Sequence, residues 1–187
     1  DHFIYDPCFP VQTMGGANCC SPHIVPWGPY DQRSVEVRSD VLVYSSEPLD
    51  KDIEVTGPIK VVLYASTDGP DTDWTAKLVD VSASGYAMNL TDGILRARYR
   101  DSRTNPTLLS PNKIYRYEID VGVTGNLFKK GHSIRIEISS SNFPRFDRNL
   151  NTGNATGKDA EIRQASQTVY HSSEYPSHII LPMVPEK

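Results

Sequence analysis

The stretch Ser139–Asn151, SSSNFPRFDRNLN, and the run that leads into it, His132–Ser139 or HSIRIEIS, decide the fold. In that run Ile134, Ile136 and Ile138 alternate with Ser133, Arg135 and Glu137. A period of two marks a half-buried strand, apolar toward a core and polar toward the outside. Three serines end the strand, and Asn142-Phe143-Pro144 turns the chain. A loop as dense in Arg, Asp and Asn as the one that follows can satisfy its own backbone groups through side chains. Phe143 and Phe146 are expected to pin it to the edge of a sandwich.

Outward from this stretch the chain reads as further short strands. Val41–Tyr44 and Ile53–Val55 come first; Gly57-Pro58 then leads into Ile59–Ser66, which is apolar on both faces as a central strand would be. Asp68–Asp73 is an acidic turn-rich loop, Trp74–Val81 a strand, and Ser82–Gly85 a hairpin connection to Ala87–Leu90. Thr91-Asp92-Gly93 reads as the next turn, because Asp-Gly between strands is a strong hairpin signal, and Ile94–Arg100 runs out again. Ile114–Val123 is a strand, Thr124–Gly131 a turn region, and Gln167–His171 with His178–Leu181 a closing pair. Eight to ten short strands at this spacing, without a long helix, predict an all-β fold, a jelly-roll β-sandwich. Residues 1–30 are punctuated by Pro7, Pro10, Gly15-Gly16, Pro22, Pro26 and Gly28-Pro29. They read as an extended N-terminal linker segment wrapping the folded body of residues 31–187.

At 187 residues and a net charge of −4, the chain is long enough for one domain that buries roughly 70% of its unfolded surface. It carries no basic run, which argues against a nucleic-acid partner, and no apolar run long enough for a membrane span. Asp1-His2-Phe3 is not a cationic signal region, and the compartment is left open. Cys8, Cys19 and Cys20 read as free thiols; a Cys8 disulfide to Cys19 or Cys20 would need an oxidising compartment. Cys20-x-x-His23 has a local metal spacing but lacks the paired regularity of a zinc site.

A nucleophile is the next thing to look for. The elbow pattern G-x-S-x-G does not occur. Ser110-Pro111-Asn112-Lys113 matches S-x-x-K by letters, but it precedes a strand and lacks its companion motifs. His132 and His178 open strands and His171 sits near Glu174, positions that suit hydrogen-bonded structural groups better than a general base. Asp68, Asp71 and Asp73 are weak candidates for a calcium site; their spacing fits no EF-hand, and capping the turn while pairing with arginines of Arg145–Arg148 is the plainer reading. No metal and no cofactor is expected. The sequons Asn89-Leu90-Thr91 and Asn154-Ala155-Thr156 carry little weight.

SSSNFPRFDRNLNTG, with DTDWTAKLVDV (Asp71–Val81) and DGILRARYR (Asp92–Arg100), resembles the C-terminal domain of the X-Pro dipeptidyl-peptidase family of serine hydrolases. Cocaine esterase, glutaryl-7-aminocephalosporanic acid acylase and the α-amino acid ester hydrolases belong to that family. The resemblance covers about Asp6 to Pro182 and implies a galactose-binding-like jelly roll cut from a larger chain. Its catalytic residues would all belong to an α/β-hydrolase domain of the same parent, the expected partner, with a homo-oligomer of the parent left open. Asp6–Gly16, DPCFPVQTMGG, matches the family's DPxxPVxTxGG. By resemblance the segment after that Gly pair would wall an acyl pocket, so that Met14, Gly15, Gly16, Ala17, Asn18, Cys19 and Cys20 would face a small acyl ester or amide. The alternatives are a carbohydrate-binding jelly roll using Trp27, Trp74, Tyr86 and Tyr99, or a purely structural domain.

Overall fold

A computed structural model describes residues 1–18 and 23–185. Among the described residues, nine strands form two antiparallel sheets. The first sheet is ordered β1 (His2–Tyr5), β8 (Ala165–Tyr170), β3 (Ile53–Thr67), β6 (Tyr115–Phe128), with β9 (His178–Ile180) also pairing with β3. The second is ordered β2 (Leu42–Ser45), β7 (Ser133–Ser139), β4 (Asp73–Val81), β5 (Ala87–Arg96). The fold is a β-sandwich, as the alternation around Ile136 predicts. A one-turn helix α1 (Arg33–Glu36) and a 3-10 turn at Ala97–Tyr99 are the only helical pieces among the described residues.

The core is built by alternation. Trp74, Ala76 and Leu78 of β4 and Ile136 and Ile138 of β7 face Val61, Leu63, Tyr117 and Ile119 of the other sheet. Trp74 lies at its centre, edge-on to Phe3 with centroids 6.4 Å apart and 5.8 Å from the Tyr117 ring. Truncating such a residue to alanine costs about 3–5 kcal/mol. Where the sheets splay near β2 and β9, an apolar cleft of about 470 Å³ opens between Ile134, Ile136, Ile179 and Leu181, with Tyr44 and His171 at its rim.

Four strand readings change. Ile53–Val55 and Ile59–Ser66 are one strand: Gly57-Pro58 stays in register opposite Thr124 and Val123, and the irregularity falls between Ile59 and Lys60. Thr91-Asp92-Gly93 is the interior of β5, not a turn, with Gly93 paired to Ala76. A Cβ on Gly93 would stand 1.9 Å from the backbone oxygen of Asp120, so glycine is there because β6 passes close behind it. Ile94–Arg100 divides into the end of β5 and the 3-10 turn. β6 runs on to Phe128 because Gly125–Phe128 has Ile53–Thr56 to pair with. The leading segment contributes β1, paired to β8 from His2↔Thr168 to Tyr5↔Ala165; four residues are too few to show a period.

Candidate functional site

β4 is buried along its whole length, on both faces. On the face away from the core it carries Thr75 and Lys77, and β7 presents Glu137 and Ser139 beside them. The sequence reads that face as polar and outward. The N-terminal strap covers it. After β1 the strap bonds to the loop beyond β7, where Phe143 N–H donates to Val11 O and Thr13 N–H to Phe143 O. Val11 and Met14 of the strap pack with Val35 of α1 and with Val41 as a small apolar cluster apart from the main core. Arg38 closes the strap on itself by donating to Phe9 O.

The two described arms of the strap's loop, residues 14–18 and 23–32, meet at a closely defined neck. Gly16 and Gly28 exchange backbone hydrogen bonds of 2.7 and 2.9 Å. Tyr30 N–H donates to Asn89 Oδ1, and Asn89 N–H to Tyr30 O. The Gln32 amide donates to Met14 O at 2.8 Å and to Tyr30 O at 3.0 Å. Both glycines at the start of the loop have positive φ, +70° at Gly15 and +101° at Gly16. A Cβ on Gly16 would meet Arg145 Nη1 at 3.0 Å and Asp92 Oδ1 at 3.2 Å, so the loop leaves directly over that ion pair.

Of the residues assigned to a pocket wall, Gly15 and Gly16 are buried in the neck, Met14 and Asn18 half-buried, and Ala17 exposed. Cys19 and Cys20 lie outside the described residues. Beyond the neck the returning arm exposes Ile24 and Trp27; Phe9 and Val37 on the flanking chain and Tyr86 in the β4–β5 connection are exposed too, Val37 the most at 84%. Cys8 is a free, exposed thiol.

Beneath the neck lies a buried layer of charge. Lys77 Nζ is 3.1 Å from Gln32 Oε1 and 3.3 Å from Glu137 Oε2. Glu36 of α1 pairs with Arg135 at 2.7 Å through one oxygen and leaves Oε1 buried without a partner. Burial, and then the Glu36 carboxylate beside it, push Glu137 up to about 7 even though Lys77 pulls the other way. Asp92 accepts from Arg145 at 2.8 Å and Asn142 at 2.7 Å, yet burial still raises it above the ordinary carboxylate range.

A second cluster ties the DTD loop to SSSNFPRFDRNLN. Asn149 Nδ2 donates to Asp71 and to Asp73, each at 2.8 Å. Their arginines are Arg98, 2.7 Å from Asp71, and Arg96, 2.9 Å from Asp73, not those of Arg145–Arg148; Asp68 faces Arg163 at 3.5 Å. The expected arginines have other work. Arg145 serves Asp92, Arg148 donates to Pro7 O, and their guanidiniums cover the rings of Phe146 and Phe143. Asp71 and Asp73 are thus engaged by side-chain donors, and among the described residues no three His, Cys, Asp or Glu side chains are grouped to hold a metal ion.

Three of the five histidines make structural contacts. His132 Nδ1 is 2.8 Å from Asp80, His171 Nε2 reaches Asp1 rather than Glu174, and His178 bonds Pro176 O. In these contacts none of the three faces a hydroxyl or thiol nucleophile, and among the described residues the site can shape and hold a surface.

Comparison with known proteins agrees. The chain is 45% identical over 186 residues to the cocaine esterase of Rhodococcus sp. (strain MB1 Bresler), covering 98% of this chain and 32% of the esterase. It superposes with a TM-score of 0.89 and 33% identity on an aminopeptidase from the marine sediment archaeon Thaumarchaeota archaeon, over 99% of this chain and 33% of that one. An α-amino acid ester hydrolase gives the same score and identity over 98% of this chain and 32% of its own. The chain therefore spans about a third of the length of these relatives. Residues 12–180 match the profile of the X-Pro dipeptidyl-peptidase C-terminal non-catalytic domain, and the chain belongs to that family.

Proposed function

We propose that this domain packs on the α/β-hydrolase catalytic domain of a larger serine hydrolase, and that the strap loop starting at Met14 walls that enzyme's acyl pocket. The observation that carries the reading is the loop itself. It leaves the sandwich at Gly15–Gly16, returns at Gly28, and turns Ala17, Ile24 and Trp27 outward. Apolar side chains exposed on a tightly defined neck suit a surface completed by another domain. The parent would cleave an ester or amide through an acyl-enzyme formed elsewhere in its chain.

Fluorophosphonate labelling of the parent and of this chain, side by side, tests the first part: label on the parent alone supports it, and label on this chain overturns it. Deleting Met14–Cys20 in the parent tests the second, since an unchanged acyl preference removes the wall. The carbohydrate reading is weakened by Trp74, which is fully buried in the core and unavailable to a binding platform.

A further inference from the structure

The loop that this reading makes a pocket wall is closed at its neck by one side chain. Gln32 is fully buried, and its amide nitrogen reaches the backbone oxygens of both arms, Met14 and Tyr30. Its amide oxygen takes a hydrogen bond from Lys77, itself 4% exposed on a central strand of the sandwich. Gln32 also starts α1, since Val35 and Glu36 N–H both donate to its carbonyl. The two arms of the loop and β4 therefore meet at one carboxamide, and α1 starts from the same residue's backbone carbonyl.

We infer that Gln32 and Lys77 are positioning residues of the pocket wall: Lys77 orients the Gln32 amide, and the amide fixes where the loop's two arms leave the sandwich. This inference rests on the proposed wall. Its physical basis is an asymmetry of donors and acceptors. A neutral amide donates twice and accepts from an ammonium; no apolar residue can do either, and a carboxylate at the position could accept but not donate. Removing the amide takes the side-chain donor from Met14 O, and leaves Tyr30 O with only the Asn89 N–H and Lys77 with only Glu137, which loosens the neck rather than the core.

The layer below makes the clamp sensitive to pH. Glu137 faces Lys77 from β4, Glu36 from α1 and Arg135 on its own strand, with the Asp92–Arg145 pair beyond Lys77. With a proton on Glu137, its hydroxyl can donate to the unpartnered Glu36 Oε1. Losing that proton sets two carboxylates against each other across the α1–β7 contact. It also draws Lys77 away from Gln32. The clamp is tight on the acid side of neutrality and slackens above it.

The test has one readout on the neck and one on the pocket. In the parent chain, Gln32→Leu is expected to speed amide exchange at Gly16 and Gly28 by about tenfold while amides of β4 and β7 hold. It should change the ratio of kcat/KM between a bulky and a short acyl ester by about fivefold or more, with the rate of fluorophosphonate labelling kept within about twofold. Lys77→Met should give the same two changes, and the double variant little more, because both remove one clamp. The wild type provides the same comparison without any risk of misfolding. From pH 6 to 8, neck exchange should rise beyond its intrinsic increase, and Glu137→Gln should abolish the excess. Unchanged exchange at Gly16 and Gly28 overturns the clamp. A loosened neck with an unchanged ester ratio overturns its role in the wall. A parent that takes no label defeats the hydrolase reading instead, and the exchange result still decides the clamp.

Discussion

Glu137→Gln isolates the electrostatics of the buried layer, because it keeps the shape of the side chain and removes its titration. In the fold Glu137 sits near 7 against an ordinary value of 4.5. A group whose proton is held more tightly in the folded state stabilises the fold fully below its unfolded value, and that contribution is lost as the pH rises through the folded one. The gap between 4.5 and about 7 corresponds to at most about 3 kcal/mol. Glutamine should therefore match wild type near pH 4.5 and exceed it by up to about 3 kcal/mol at pH 8.5. In a chain of this size that is a gap of roughly 6–12 °C in Tm. Asp6, Asp31, Asp52, Glu118 and Asp159 are lowered by their hydrogen bonds, and they weaken both proteins alike in acid. Only the difference between the two curves reports on Glu137. Urea titrations from pH 4.5 to 9, followed by tryptophan fluorescence, supply those curves. Parallel curves across that window, or a wild type that gains on the variant as pH rises, would refute the reasoning.

Other substitutions test neighbouring parts of the structure. Gly93→Ala drives a methyl into the Asp120 carbonyl and should cost about 3 kcal/mol or more, seen as a lower urea midpoint. Gly16→Ala strains a φ of +101° and presses on the Arg145–Asp92 pair; a loss of about 1–3 kcal/mol is expected by thermal melting. Asn149→Ala removes the donor shared by Asp71 and Asp73 and should lower stability by about 2–3 kcal/mol, with Asn149→Asp worse at neutral pH than in acid, where a third carboxylate is protonated.

How far the sequence reaches depends on whether the cause of a feature is local. Ile134, Ile136 and Ile138 declare a strand on their own, and their neighbours' turn chemistry bounds it; the two-sheet architecture follows from enough such strands. Thr91-Asp92-Gly93 has a local appearance and a distant cause. Its Asp92 is fixed by Arg145 and Asn142 from the loop beyond β7, and its glycine by the backbone of β6. β6 likewise continues through polar residues because Ile53–Thr56 supplies a partner more than sixty residues upstream. The loop SSSNFPRFDRNLN can be recognised as a knot of side-chain bonds, but which arginine meets which aspartate cannot, since Arg96 and Arg98 reach Asp73 and Asp71 through the β4–β5 pairing.

The candidate site shows the same division more sharply. Gly15-Gly16 and the small residues after it are visible as a motif, and the motif marks where the loop begins. The Lys77–Glu137 pair behind it looks in sequence like the solvent face of two amphipathic strands. It is buried because the strap and α1, joined through Val11, Val35 and Val41, cross that face. An apolar strap on an apolar sheet could settle in several registers, since apolar contact has no direction. The charged layer removes that freedom: Gln32 must find Lys77, Glu36 must find Arg135, and Gly16 must clear Asp92 and Arg145. Buried ion pairs of this kind contribute little net stability and can instead fix a unique arrangement. On that argument, replacing Lys77 and Glu137 together by leucine and methionine should leave the melting temperature close to wild type or above it. Amide exchange at the neck of the strap should then spread over several rates. A single sharp exchange regime at Gly16 and Gly28 in that double variant would show that the glycines and backbone bonds alone hold the loop in place.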